Sequence, residues 1–110
     1  MENALVPSDD QRVTSYAVNW QPHSGTVHSG RLEIGEGELS FHNGDAADTI
    51  RYDEVLRIEN DLRDRIGPRR AVRLIRRDGR AVLIAGQSAA IGELAEITAA
   101  LYAAISPAAG

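Results

Sequence analysis

Four arginines crowd one short stretch of this chain: Arg63, Arg65, Arg69 and Arg70. A guanidinium is planar, permanently charged and able to give two parallel hydrogen bonds to a phosphate or a carboxylate. Set this close together, the four are candidates for engaging phosphates, an anionic lipid surface or an acidic peptide. They belong to a larger basic block. Residues 57–80 hold nine of the twelve arginines and four acids (Glu59, Asp61, Asp64 and Asp78), a net of +5. The other 86 residues hold three arginines and twelve acids, a net of −9, which leaves the whole chain at −4. A local surplus of positive charge on an acidic protein points to an anionic partner. The competing reading is internal: Asp61 and Asp64 can pair with these arginines as surface ion pairs, which carry little energy.

Other chemistries lack their residues. His23, His28 and His42 are the only imidazoles, and no further ligands stand beside them for a metal site. Cysteine is absent, which removes disulfides, thiolate metal sites and thiol catalysis. No serine lies in a nucleophile-elbow pattern, and no glycine loop precedes a helix to cradle phosphate. Asp9-Asp10 and Asp53-Glu54 are adjacent acids, which in extended backbone point to opposite faces. The spacing therefore offers no catalytic residues, no metal ligands and no cofactor site, and an enzyme is not expected. Nucleic acid is disfavoured as a partner, because the net charge is negative and no aromatics interleave with the arginines. Met1 to Gln11 lacks the pattern of a secretory signal, and no run approaches the roughly 20 apolar residues of a membrane span. The expectation is a cytoplasmic protein, at most peripheral at a membrane.

The elements that must carry these residues are mainly strands. At 110 residues the chain has room for one core, with tails expected at 1–11 and 107–110 and a domain over 12–106. Alternation places Tyr16, Val18 and Trp20 inward on a first strand, and Leu32 with Ile34 on a second. Leu39 and Phe41 mark a third, and Ile50, Tyr52, Val55 and Ile58 supply further core positions. Asn60 to Arg70 reads as irregular, since Gly67-Pro68 interrupts any continuous element.

Asp78-Gly79 between strand formers predicts a two-residue hairpin turn, pairing Arg77 with Arg80, Ile75 with Val82 and Arg73 with Ile84. In that register Val72, Leu74, Ala81, Leu83 and Ala85 face the core. The outer face then carries Arg73, Ile75, Arg77, Val82 and Ile84, together with Arg80. An aliphatic stripe laced with arginine is a candidate protein interface, either for a second copy or for another chain. From Ser88 to Ile105 the period turns helical, with Ile91, Leu94, Ile97, Leu101 and Ile105 on one stripe. Ser88 is the expected N-cap, and Pro107 the expected stop.

The segments GRLEIGEGELSFHNG, TIRYDEVLRIE, AVRLIRRDGRAVLIA and GELAEITAAL, taken in order, resemble the pleckstrin-homology superfamily, in particular its bacterial and GRAM-like members. The resemblance spans roughly residues 13–105 and rests on strand patterning. It implies a seven-stranded, strongly bent antiparallel β-barrel closed by a C-terminal α-helix. It also implies an inositol-phosphate site around the loop between the first two strands. Here that loop, Gln21 to Gly30, has His23 and His28 but no arginine, which directs attention elsewhere. The barrel hosts lipid, peptide and scaffold roles alike. Two expectations result: a non-enzymatic interaction or scaffold domain, able to self-associate through its hairpin face, and a peripheral binder of anionic headgroups or phosphorylated ligands through Arg63–Arg70.

Overall fold

The computed structural model describes residues 14–23, 25–44, 47–88 and 92–109. The strands are β1 (Thr14–Pro22), β2 (His28–Ile34), β3 (Glu38–His42), β4 (Ala47–Arg51) and β5 (Val55–Glu59), then β6 (Arg65–Ile66), β7 (Arg69–Arg70), β8 (Val72–Arg76) and β9 (Ala81–Gly86). One helix, α1 (Glu93–Ala109), follows. Seven strands form a single curled antiparallel sheet in the order β4-β3-β2-β1-β9-β8-β5, and β6 pairs with β7 apart from it. The fold is thus mainly β, a bent half-barrel with one C-terminal helix.

Alternation explains the core. Val18, Trp20, Leu32, Ile34, Leu39, Phe41 and Ile50 point inward from β1 to β4, and Tyr52 and Val55 continue from the 3-10 turn that joins β4 to β5. Trp20 stacks on Phe41 at 5.1 Å between ring centroids. Ile97 and Leu101 of α1 are fully buried against this cluster, so the helix closes the open side of the sheet. Gly30 of β2 is set by close approach: a Cβ there would collide with the His42 carbonyl on β3.

The helix starts later than the sequence suggests. Its first residue is Glu93 rather than the residue after Ser88. Gly92 has a left-handed φ of +93°, a conformation that cannot continue an α-helix inward, and the first helical turn forms after it. Glu93 reaches back instead, its Oε1 accepting the Ser88 N–H at 3.1 Å. Leu94, Ile97, Leu101 and Ile105 form the expected stripe, while Ile91 lies outside the described residues. The helix also runs through Pro107 to Ala109, where a tail was expected. The expected tail at 1–11 lies outside the described residues.

The two rims of the sheet are β4 and β5. On β4 the Arg51 N–H is taken by Glu54 Oε1 at 3.0 Å. On β5 the register shifts between Val55 and Arg57, and the Tyr102 hydroxyl of α1 donates to the Ile58 carbonyl at 3.1 Å.

Candidate functional site

The β8–β9 hairpin departs from its expected register by one residue. Observed pairs are Val72 with Ile84, Arg73 with Leu83, Leu74 with Val82 and Ile75 with Ala81. The turn explains the slip. Gly79 donates to the Arg76 carbonyl at 3.0 Å, Arg76 donates to the Arg80 carbonyl at 2.8 Å, and Gly79 has φ +94°. This is a three-residue loop with glycine in the left-handed position, rather than the two-residue turn expected from Asp-Gly. A one-residue shift turns every side chain of one strand over. Val82 and Ile84 therefore lie in the core, 3% and 0% exposed, and cannot serve as interface residues. The outer face retains Arg73, Ile75 and Arg77 and gains Ala81 and Leu83. Opposite Val72 the larger Ile84 replaces Ala85, and opposite Leu74 a β-branched Val82 replaces Leu83.

Much of that outer face is itself covered. The stretch expected to be irregular contains the β6–β7 hairpin, turning at Gly67 (φ +60°) and Pro68. Gly67-Pro68 rules out one continuous strand but permits two short ones. This flap packs on the outside of the sheet. Ile66 and Ala71 bury Ala85 and shelter Leu83 in a second apolar cluster. At the flap's base Asp64, 7% exposed, receives two hydrogen bonds from Arg73, Nε to Oδ2 at 3.2 Å and Nη2 to Oδ1. That bidentate contact holds the Arg73 guanidinium above its usual pKa, first by the hydrogen bond and then by charge. The Asp64 carbonyl also accepts the Ala71 N–H at 2.9 Å. A buried carboxylate thus anchors flap to sheet.

The nine arginines of residues 57–80 divide by what they touch. Five meet carboxylates: Arg57 with Glu59, Arg63 with Asp61, Arg73 with Asp64, Arg76 with Glu54 and Arg80 with Asp78. The Arg76 pair is loose at 3.6 Å, and Arg76 Nε is buried without a hydrogen bond. The remaining four have only neutral partners among the described residues. Arg65 donates to the Pro68 carbonyl at 3.1 Å, and Arg69 to the Ser88 carbonyl at 2.6 Å. Arg70 donates to Asn60 Oδ1 at 3.3 Å, and Arg77 to the Asp53 carbonyl at 2.9 Å. Neutral acceptors orient a guanidinium without cancelling its charge. Of the four loop arginines picked out by spacing, the structure therefore keeps Arg65, Arg69 and Arg70 electrostatically open and closes Arg63.

Asp61 organises the approach to the flap. Its Oδ1 accepts the Arg63 N–H at 2.9 Å, its carbonyl accepts the Asp64 N–H at 3.0 Å, and its carboxylate clamps the Arg63 side chain. The Arg63 hydrogen bonds hold the Asp61 carboxyl below the usual carboxylate range. The result is a fixed turn, 61–64, with Leu62 at its crest, 67% exposed. Behind it, Asn60, Arg69, Arg70, Gly86, Ser88 and the first turn of α1 line a cleft of about 440 Å³, with the Glu93 carboxylate inside.

Sequence reasoning passed over Leu62, Asn60 and the anchoring role of Asp64. The available signal was a lone large apolar residue inside a charged, turn-forming stretch. His23, His28 and His42 do not converge. His42 lies 3.3 Å from Glu33, His28 packs on Trp20, and no group of three metal-ligating side chains occurs among the described residues. No helix among them is long and apolar enough to cross a membrane.

No family model matches the chain, and no curated protein matches it. Solved structures do. The C-terminal domain of an unknown protein from Leishmania infantum superposes with a TM-score of 0.68 at 17% identity, covering 91% of each chain. A chain of the 8S snRNP assembly intermediate superposes with a TM-score of 0.69 at 12% identity, covering 84% of this chain and 80% of that one. At such identities the likeness concerns the fold alone.

Proposed function

We propose that this chain is a non-enzymatic interaction domain of the pleckstrin-homology kind, working through the β6–β7 flap toward a partner that carries negative charge. One observation carries the reading: Arg65, Arg69 and Arg70 share one small hairpin and have no carboxylate partner among the described residues. The flap is held to the sheet by Asp64 and Arg73, so the three charges sit on an ordered support. The seven-stranded sheet closed by a helix fits the resemblance in the sequence. A neighbour of the same fold occurs in an assembly intermediate, a setting in keeping with a scaffold role here. Self-association through Val82 and Ile84 has no place in this reading, because both are core residues.

The test is chromatographic. A protein of net charge −4 is expected to pass through a cation exchanger at pH 7 unless a local patch holds it. Retention at low ionic strength and release toward physiological salt is the expected result. The triple variant Arg65→Gln, Arg69→Gln, Arg70→Gln should flow through. Passage of the unaltered protein without delay would end the proposal.

A further inference from the structure

Resting on that reading of the flap, we infer that its partner is an anionic lipid bilayer, and that Leu62 enters the bilayer while Arg65, Arg69 and Arg70 meet the headgroups. The charge account comes first. In the stretch from Arg57 to Arg70, Glu59 is neutralised by Arg57, Asp61 by Arg63, and Asp64 by Arg73 from β8. What remains is three positive charges that no acid of this stretch pairs, with the Glu93 carboxylate of α1 in the cleft that Arg69 and Arg70 line. They lie beside the most exposed large hydrophobic residue described in the molecule.

The shape of the site selects the partner. Leu62 is carried on the crest of a turn fixed through both the carbonyl and the carboxylate of Asp61. It stands out from the surface. An acidic protein would need a matching pocket to use such a residue, since apolar anchors contribute when they fill one. A bilayer accepts a protruding leucine anywhere along its interface and supplies the negative charge alongside. Arg70, bonded to Asn60, ties the flap to the loop that presents Leu62, and Arg65 stands opposite Arg70 on the same side of the flap, while Arg69 stands opposite Ile66 and turns to the Ser88 carbonyl.

The same geometry argues against a deep, headgroup-specific pocket. The cleft behind the arginines holds the Glu93 carboxylate, which repels a multiply charged phosphate. Adsorption should follow surface charge rather than headgroup identity.

The experiment is co-sedimentation with vesicles of phosphatidylcholine alone or with about one-third phosphatidylserine, at low and high salt. The protein should pellet with the anionic vesicles at low salt only. Each of Arg65→Gln, Arg69→Gln and Arg70→Gln should weaken the partition about five-fold. Leu62→Ser should weaken it about ten-fold. Arg63→Gln should change it less than about two-fold, because Arg63 is already held by Asp61. Leu62→Trp adds a direct readout, an emission blue shift on adding vesicles, above the constant signal of Trp20, which is 1% exposed. If the protein stays in the supernatant at low salt yet is retained on the cation exchanger, the bilayer inference fails and the flap reading stands, with an acidic protein as the partner class. If neither surface binds it, both fail. Pelleting that survives Leu62→Ser, with no blue shift in Leu62→Trp, overturns the insertion of Leu62.

Discussion

The β8–β9 hairpin and the β6–β7 flap are built from the same materials, arginines around a glycine turn, and use them differently. In the hairpin, Arg73, Arg76 and Arg80 reach carboxylates while Arg77 alone reaches a carbonyl, and the strands bury Leu74, Val82 and Ile84. In the flap, Arg65, Arg69 and Arg70 reach two carbonyls and an asparagine, and the strands bury only Ile66. One hairpin spends its charge on holding the fold together, and the other keeps its charge for outside. Arginine density alone does not separate the two roles. The acceptor each guanidinium meets does.

The largest effect should come from the hairpin's inner face. Ile84→Asp places a carboxylate in the core and is expected to cost about 4 kcal/mol or more, enough to abolish cooperative thermal unfolding seen by circular dichroism. Ile75→Asp, two residues from the turn on the other face, should cost about 1 kcal/mol. Similar losses from both would show the register to be wrong.

The joint between the two regions comes next. Asp64→Asn leaves Arg73 without its counter-charge and should cost about 2–3 kcal/mol in urea unfolding. Exchange of the Ala71 amide, which is bonded to the Asp64 carbonyl, should accelerate before that of the core amides. Uniform acceleration would mean that flap and sheet open as one unit.

A third measurement separates them by pH. Burial, with a smaller contribution from Glu38, pushes the Tyr52 hydroxyl up to about 12. The unfolded phenol ionises near 10. Protons are then bound more tightly by the folded chain, so stability is intact below pH 10 and falls as pH rises toward 12. Tyr52→Phe should flatten the alkaline decline while costing about 1 kcal/mol at neutral pH, for the lost hydrogen bond to the Gly35 carbonyl. A decline of unchanged slope in this variant would assign the effect to another group.

The smallest effect belongs to the flap itself. Arg65→Gln, Arg69→Gln and Arg70→Gln should each alter the unfolding free energy by about 0.5 kcal/mol or less, since their partners are exposed and neutral. A larger loss for any of them would move that residue into the structural group beside Arg73.

Much of the sheet was legible because alternation is a local property. Tyr16, Val18, Trp20, Leu32, Ile34, Leu39 and Phe41 follow from period two alone, and so does the stripe from Leu94 to Ile105. The hairpin register was not legible. Asp78-Gly79 supports both a two-residue and a three-residue loop, and the choice rests on non-local packing: Val82 and Ile84 enter the main core while Leu83 and Ala85 pack under the flap. Helix ends were equally non-local, with Glu93 reaching back to Ser88 across a left-handed Gly92. At the site, spacing located the four loop arginines but could not sort them. Sorting them required knowing that Asp61 turns back on Arg63, and that Asp64 points inward to Arg73, nine residues away.

The capped rims of the sheet bear on how the molecule behaves when crowded. An open strand edge is a template on which another chain can add, and successive additions lead to fibres. Here one backbone group on each rim is already engaged, the Arg51 amide by Glu54 and the Ile58 carbonyl by Tyr102, and the bulge at Leu56 bends the second rim further. An incoming strand would have to displace these bonds before forming its own. The sheet is therefore guarded against runaway growth at both ends, and a side-chain surface such as the flap can stay sticky without seeding aggregation.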